Sequence, residues 1–222
     1  MKRAALIWDS PLLFARLISD CGYQCDEVTP HLLAAPFFRG RFAFIVIPGG
    51  FGDSKYSRVL PALKALSPRF KRYASAGGAI LLFGAVSPNQ NVYQWLVPGI
   101  NYHFGFFDAE IIANPSESLS SSSQDAKSST APLLPVEYSS TEQHNGSLNV
   151  YSCDGYLTYA EASMPYPIQV LATAVHPDTH ANVAVFVRIE CGSGVIFIST
   201  IHEYPIPTFF MRVTEGTSDT SF

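Results

Sequence analysis

The chain has 222 residues, 47% of them apolar or aromatic and only 14% charged; 14 Lys and Arg against 18 Asp and Glu leave a net charge of −4. That composition is too apolar for a disordered chain and sufficient for one sizeable core. A mildly acidic chain with no basic run argues against a phosphate-backbone binder, and no apolar stretch approaches the ~18 residues of a membrane span, so neither nucleic acid nor membrane is expected as a partner.

The amino terminus carries Lys2 and Arg3, but its apolar run, residues 4–8, stops at Asp9. That is too short for a signal peptide and predicts a cytoplasmic protein. The same run reads as a buried strand. Pro11 suits the start of a helix, and Leu12, Leu13, Ala15, Leu17 and Ile18 then recur at helical spacing until Gly22. Residues 25–29 read as a weaker strand, and residues 42–47 as a strongly apolar one ending at Pro48-Gly49-Gly50. Residues 56–76 read as a helix interrupted near Ser67-Pro68, and residues 79–83 as the next buried strand. Strand and helix alternating at this spacing predict parallel strands with right-handed crossovers, covered on both faces. Ligands would then collect beyond the carboxyl ends of the strands, at Asp9-Ser10, residues 48–54 and residues 84–88.

Residues 116–130 hold eight serines in fifteen positions and predict a mobile surface excursion. Asn145-Gly146-Ser147 reads as a turn. Residues 169–175, 182–190 and 195–201 read as strands, the last two joined by a turn at Gly192-Ser193-Gly194, and they deliver Ile201-His202-Glu203. His176-Pro177-Asp178-Thr179-His180 reads as a hairpin loop rather than a metal pair. Tyr151, Tyr156, Tyr159 and Tyr166 read as a loop packed over the sheet edge, with an interaction surface as the alternative. Residues 214–222 read as a frayed polar tail. The four cysteines are too few for a disulfide scaffold and lack the pairing of a zinc site, so no metal is expected.

Three short motifs carry a resemblance. Residues 42–47 running into Pro48-Gly49-Gly50-Phe51-Gly52-Asp53 resemble the oxyanion loop of class I glutamine amidotransferases, especially the glutaminase part of phosphoribosylformylglycinamidine synthase. Gly77-Gly78-Ala79-Ile80-Leu81-Leu82-Phe83 resembles the strand before their nucleophile elbow, and Gly192-Ser193-Gly194 with Ile201-His202-Glu203 their last hairpin. Residues 150–203 are also similar to the amidotransferase-like N-terminal domain of some biotin–protein ligases. The resemblance covers most of residues 1–205. It implies a flavodoxin-like α/β domain, a mostly parallel sheet flanked by helices with a C-terminal antiparallel hairpin, followed by a partly disordered extension over 206–222.

The same resemblance assigns roles. The family attacks with a Cys thiolate activated by His and shelters the oxyanion on backbone N–H groups. The nucleophile position falls on Gly84, and Leu82 and Val86 take the places of the family's flanking glycines; Ser87 lies too far along the chain to substitute. His202 and Glu203 are implied as remnants of the catalytic pair, with Glu203 directly following the histidine. Gly49, Gly50 and Phe51 are implied as the ligand-binding loop. The expectation is a domain without its nucleophile, a pseudoenzyme acting as a binding or regulatory module. It would partner a synthetase or ligase subunit, or bind a small carboxylate or amide, and no cofactor is expected. Two alternatives stand beside it: an enzyme of non-covalent chemistry built on His202, Gly49 and Gly50, and a glutaminase with an unrecognised nucleophile.

Overall fold

The computed structural model describes residues 1–114, 133–136, 150–215 and 219–222. The serine-rich stretch and Asn145-Gly146-Ser147 lie outside the described residues. In chain order the elements are β1 (Arg3–Ile7), α1 (Leu13–Asp20), β2 (Gln24–Val28), α2 (Pro30–Ala34), β3 (Arg41–Phe42), β4 (Phe44–Ile47), α3 (Leu60–Ala65), α4 (Ser67–Ser75) and β5 (Ala79–Leu82). There follow β6 (Ile100–Ala113), β7 (Val150–Tyr159), a 3-10 turn (Glu161–Ser163), β8 (Ile168–Val175), β9 (Asn182–Cys191), β10 (Gly194–Ser199), α5 (Pro207–Val213) and β11 (Thr220–Ser221).

Local chemistry accounts for these boundaries. Proline occupies the first turn of α2, α3, α4 and α5, where its missing N–H leaves no bond unmade. Pro68 thereby splits the expected 56–76 helix into α3 and α4. Gly22, at φ 86, closes α1 in a conformation that other residues resist. All four residues of β4 and of β5 are buried, as strands covered on both faces require.

The main sheet has nine strands in the order β2-β1-β4-β5-β10-β9-β7-β6-β8. Strands β2, β1, β4, β5 and β10 pair in parallel. Every other pairing in this sheet is antiparallel: β10 with β9, β9 with β7, β7 with β6, β6 with β8, and β8 back to β9. Strands β9, β7, β6 and β8 therefore close on themselves as an antiparallel barrel.

This overturns the expectation of a flavodoxin-like, mostly parallel sheet with a terminal hairpin. The antiparallel strands are the long ones, 14 residues in β6 and 10 each in β7 and β9. No helix among the described residues exceeds the nine residues of α4. The physical reason lies after β5, where the chain makes turns instead of a crossover helix and enters β6. The tyrosine-rich stretch expected as a loop is in large part β7.

Two apolar layers cover the sheet. Along β4, Ile45 and Ile47 face one layer with Phe70, Tyr73 and Phe222, while Phe44 and Val46 face the other with Phe14, Phe209 and Phe210. The segment expected as a partly disordered extension is thus part of the core where it is described. Phe209, Phe210 and Val213 of α5 are buried, and β11 pairs antiparallel with β3.

Candidate functional site

The loops leaving β4 and β5 are joined by their backbones. Gly50 N–H donates to the Gly84 carbonyl at 2.7 Å, and Gly52 N–H to the Ala85 carbonyl at 2.9 Å. Gly50 sits at φ 88, and a Cβ on Gly52 would lie 2.8 Å from the Ala85 oxygen, so both glycines are required by the turn and the close approach. The Tyr93 hydroxyl, fully buried, accepts from Ala85 N–H at 3.0 Å and donates to the Phe83 carbonyl at 3.3 Å. Val86 holds φ 49, a strained conformation for a β-branched residue.

Behind Gly84 stands a residue that the sequence reading did not single out. Asp154 of β7 is 1% exposed. Its Oδ1 accepts from the Tyr102 hydroxyl at 3.0 Å, and its backbone N–H donates to the Thr200 carbonyl at 2.9 Å. Its Oδ2 is buried without a hydrogen-bond donor. An ideal Cβ on Gly84 would fall 1.4 Å from this oxygen, so the carboxylate occupies the space a side chain at position 84 would need. Burial pushes the Asp154 carboxyl above its ordinary range, against the opposing pull of His202 and Tyr102.

His202 follows β10 and is tied to β7 through its N–H, which donates to the Ser152 carbonyl at 2.8 Å. Its Nδ1 lies 3.9 Å from Asp154 Oδ2, with the imidazole 55% exposed. The Asp154 carboxylate holds His202 above its ordinary value, partly offset by desolvation. Glu203 turns elsewhere: Oε1 accepts from Ser152 N–H at 2.9 Å, and Oε2 is buried without a donor. The acid in ion-pair range of His202 is therefore Asp154, which raises it more than its chain neighbour Glu203 does.

The structure brings Gly50, Gly84 and His202 to one strand edge, connected through Asp154, with Gly49 next along the loop. Phe51 is turned into the core, its ring buried against Tyr93 at 5.5 Å. Ser87 is buried and its Oγ accepts from Asn89 N–H at 3.3 Å. The loop's strained residue, Val86, carries an inert isopropyl group two positions past Gly84. Cys153 is adjacent to Asp154, but burial pushes its thiol up to about 12, which leaves little thiolate at neutral pH. His176 and His180 lie in a hairpin loop closed by the His180 N–H on the His176 carbonyl at 2.9 Å. Among the described residues no group of three His, Cys, Asp or Glu could hold a metal ion. Asp9 and Ser10 line a separate cleft of about 230 Å³ with Trp8, Glu27 and Thr29.

Asp154 and its donor Tyr102 were missed because they lie in β7 and β6, elements that carry no sequence motif. A lone Asp in an apolar context, Cys153-Asp154-Gly155, was the available signal.

No helix among the described residues is long and apolar enough to cross a membrane. No family model matches the chain, and no curated protein matches it. Among solved structures, a cytoplasmic protein of Salmonella typhimurium is similar at a TM-score of 0.56 and 12% identity, over 99% of this chain and 100% of its own. A second, from Salmonella typhimurium LT2, is similar at 0.55 and 11%, with the same coverage. The β-galactosidase of Bacillus circulans sp. alkalophilus is similar at 0.52 and 12%, over 97% of this chain but 31% of its own. The chain thus spans about a third of that enzyme. Likeness at this identity concerns fold alone. The resemblance to class I glutamine amidotransferases, and with it to the biotin–protein ligase domain, is corrected: the chain has an antiparallel, barrel-rich fold like these neighbours.

Proposed function

We propose that the chain is a non-catalytic binding module whose site lies at the carboxyl ends of β4 and β5, where Gly84, Asp154 and His202 meet. The observation that carries this reading is the Asp154 carboxylate, buried in the space left by Gly84 with one oxygen lacking a donor. A buried acceptor without a partner is costly and is satisfied when a ligand donates to it. A ligand that supplies an N–H, such as a primary amide, suits this site. The inert Val86 at the strained turn and the Cys153 thiol, pushed up by burial, support binding over covalent turnover. A cytoplasmic setting accords with the two Salmonella proteins.

Titrating isotopically labelled protein with pentanamide tests the reading. Saturable shifts of the Gly84, Asp154 and His202 amide resonances at millimolar ligand are expected. Slow turnover of the amide, abolished in His202→Ala, would instead favour the alternative of non-covalent acid–base chemistry, for which the Asp154–His202 pair is the supporting feature.

A further inference from the structure

The cleft of about 230 Å³ beside Asp9 and Ser10 shares no lining residue with the Gly84 site. Two adjacent parallel strands form it at their carboxyl ends: Leu6 and the loop after β1 on one side, Glu27 and Thr29 at the end of β2 on the other. Ligands collect beyond such strand ends. The cleft is smaller than the roughly 300 Å³ at which drug-sized pockets begin, so it suits one small ring.

Its polar groups are open. Trp8 is 7% exposed and lines the cleft. Its indole N–H has no acceptor among the described residues, yet it is not sealed in the core as that of Trp95 is, so it opens onto the cleft. An indole buried to this degree ordinarily finds an acceptor. Asp9 Oδ2 accepts from Arg58 N–H at 2.8 Å, whereas its Oδ1 and both Glu27 carboxylate oxygens have no donor among the described residues. Thr29 Oγ1 accepts from Leu32 N–H at 3.3 Å, which leaves its own proton to give. Among the described residues no Lys, Arg or His lines the cleft.

These groups select a ligand class. An indole N–H only donates, a carboxylate only accepts, and a hydroxyl does both. An anion would meet two carboxylates and no cation. An ammonium would serve the carboxylates and leave the indole N–H without an acceptor. A lone amide serves one side of the cleft, whereas a ring of hydroxyls serves both. We propose that the cleft binds a neutral cyclic polyol, one monosaccharide or inositol in size, whose hydroxyls accept from Trp8 Nε1–H and donate to Asp9 and Glu27. This site is distinct from the one at Gly84 and does not depend on it.

The chain has two tryptophans, so two indole N–H resonances report on it. Trp95 Nε1, buried without a partner, is the internal control. Titrating the isotopically labelled full chain with glucose or myo-inositol should move the Trp8 indole resonance saturably at millimolar ligand and leave Trp95 still. The tighter of the two identifies the source of the ring. Glu27→Ala, at an exposed position, and Trp8→Phe, which removes the N–H, should each weaken binding roughly tenfold. If Trp8→Phe does not fold, Glu27→Ala alone decides, and an unchanged affinity in it overturns the proposal. Butylammonium moving Trp8 with both polyols silent overturns it in favour of a cation, and gluconate binding as tightly as glucose overturns the charge argument. Polyol shifts at Gly84, Asp154 and His202 with Trp8 unmoved would assign the ligand to the other site and overturn this one. Silence of both polyols overturns it outright and leaves the Gly84 reading untouched.

Discussion

Gly84 shows how a single missing carbon can organise a site. Its φ is not in the left-handed region, so glycine is not needed there for backbone freedom. It is needed because Asp154 Oδ2 fills the space of a Cβ. Gly84→Ala should therefore destabilise the protein by about 1–3 kcal/mol, as overpacking of a filled interior does. Urea denaturation measures this, and Gly84→Ala combined with Asp154→Ala should cost less than the sum of the two changes. An unchanged midpoint in Gly84→Ala would show that the carboxylate moves freely. The sequence pointed at residue 84 by its place after a buried strand, but the residue facing it is far off in the chain, and no local pattern encodes such a contact.

The same pair sets a pH dependence. His202 is raised by Asp154, so its contribution to stability is complete below the ordinary value of ~6.5 and is lost as pH rises through its folded value. Asp154 is raised by burial, so its charged form is penalised: the penalty is absent below ~3.9 and grows as pH rises through its folded value. Both effects make the fold less stable toward alkaline pH. Replacing Asp154 by Asn should move the His202 titration midpoint down toward its ordinary value, observed by NMR of the imidazole protons. A midpoint that stays put would assign the shift to Glu203 or to the strand end itself.

Among the elements, β6 and β7 separate what could be read in the sequence from what could not. Strands β1, β4 and β5 are short continuous apolar runs between Gly and Pro signals, and such runs announce themselves. Strand β6 does not: its buried residues Ile100, Tyr102, Ala109 and Ile111 are separated by the exposed Phe-Gly-Phe bulge, which breaks the two-residue period. Yet β6 supplies Tyr102, whose hydroxyl donates to the Asp154 carboxylate and lies 2.7 Å from the Asp154 carbonyl. Tyr102→Phe leaves both oxygens buried without that donor and should cost about 1–3 kcal/mol. The urea midpoint measures the loss, and the His202 resonance reports whether Asp154 has moved. A neutral substitution would mean that water replaces the hydroxyl.

At the scale of the whole molecule, extending the parallel half to the rest of the chain led the reading away from the antiparallel barrel, and polarity hid the role of the carboxyl-terminal segment. Residues 214–222 are polar in composition, but α5 before them places Phe209 and Phe210 in the layer beneath β4 and β10. Phe210 is fully buried, stacks on Phe44 at 5.5 Å and meets Phe14 edge-on at 6.3 Å. The helix is anchored further by the Tyr23 hydroxyl, 2.5 Å from Thr214 Oγ1. Phe210→Ala should therefore cost about 3–5 kcal/mol, the loss of a buried ring plus the cavity it leaves. Because α5 covers the β4 face opposite α4, loosening it should disturb a layer shared with β1 and β5 rather than a detachable end. One cooperative urea transition, shifted as a whole to lower denaturant, is the expected result. A loss below about 1 kcal/mol, or a separate early transition for the carboxyl-terminal segment, would show that α5 is an appendage and that the sheet is stable without it.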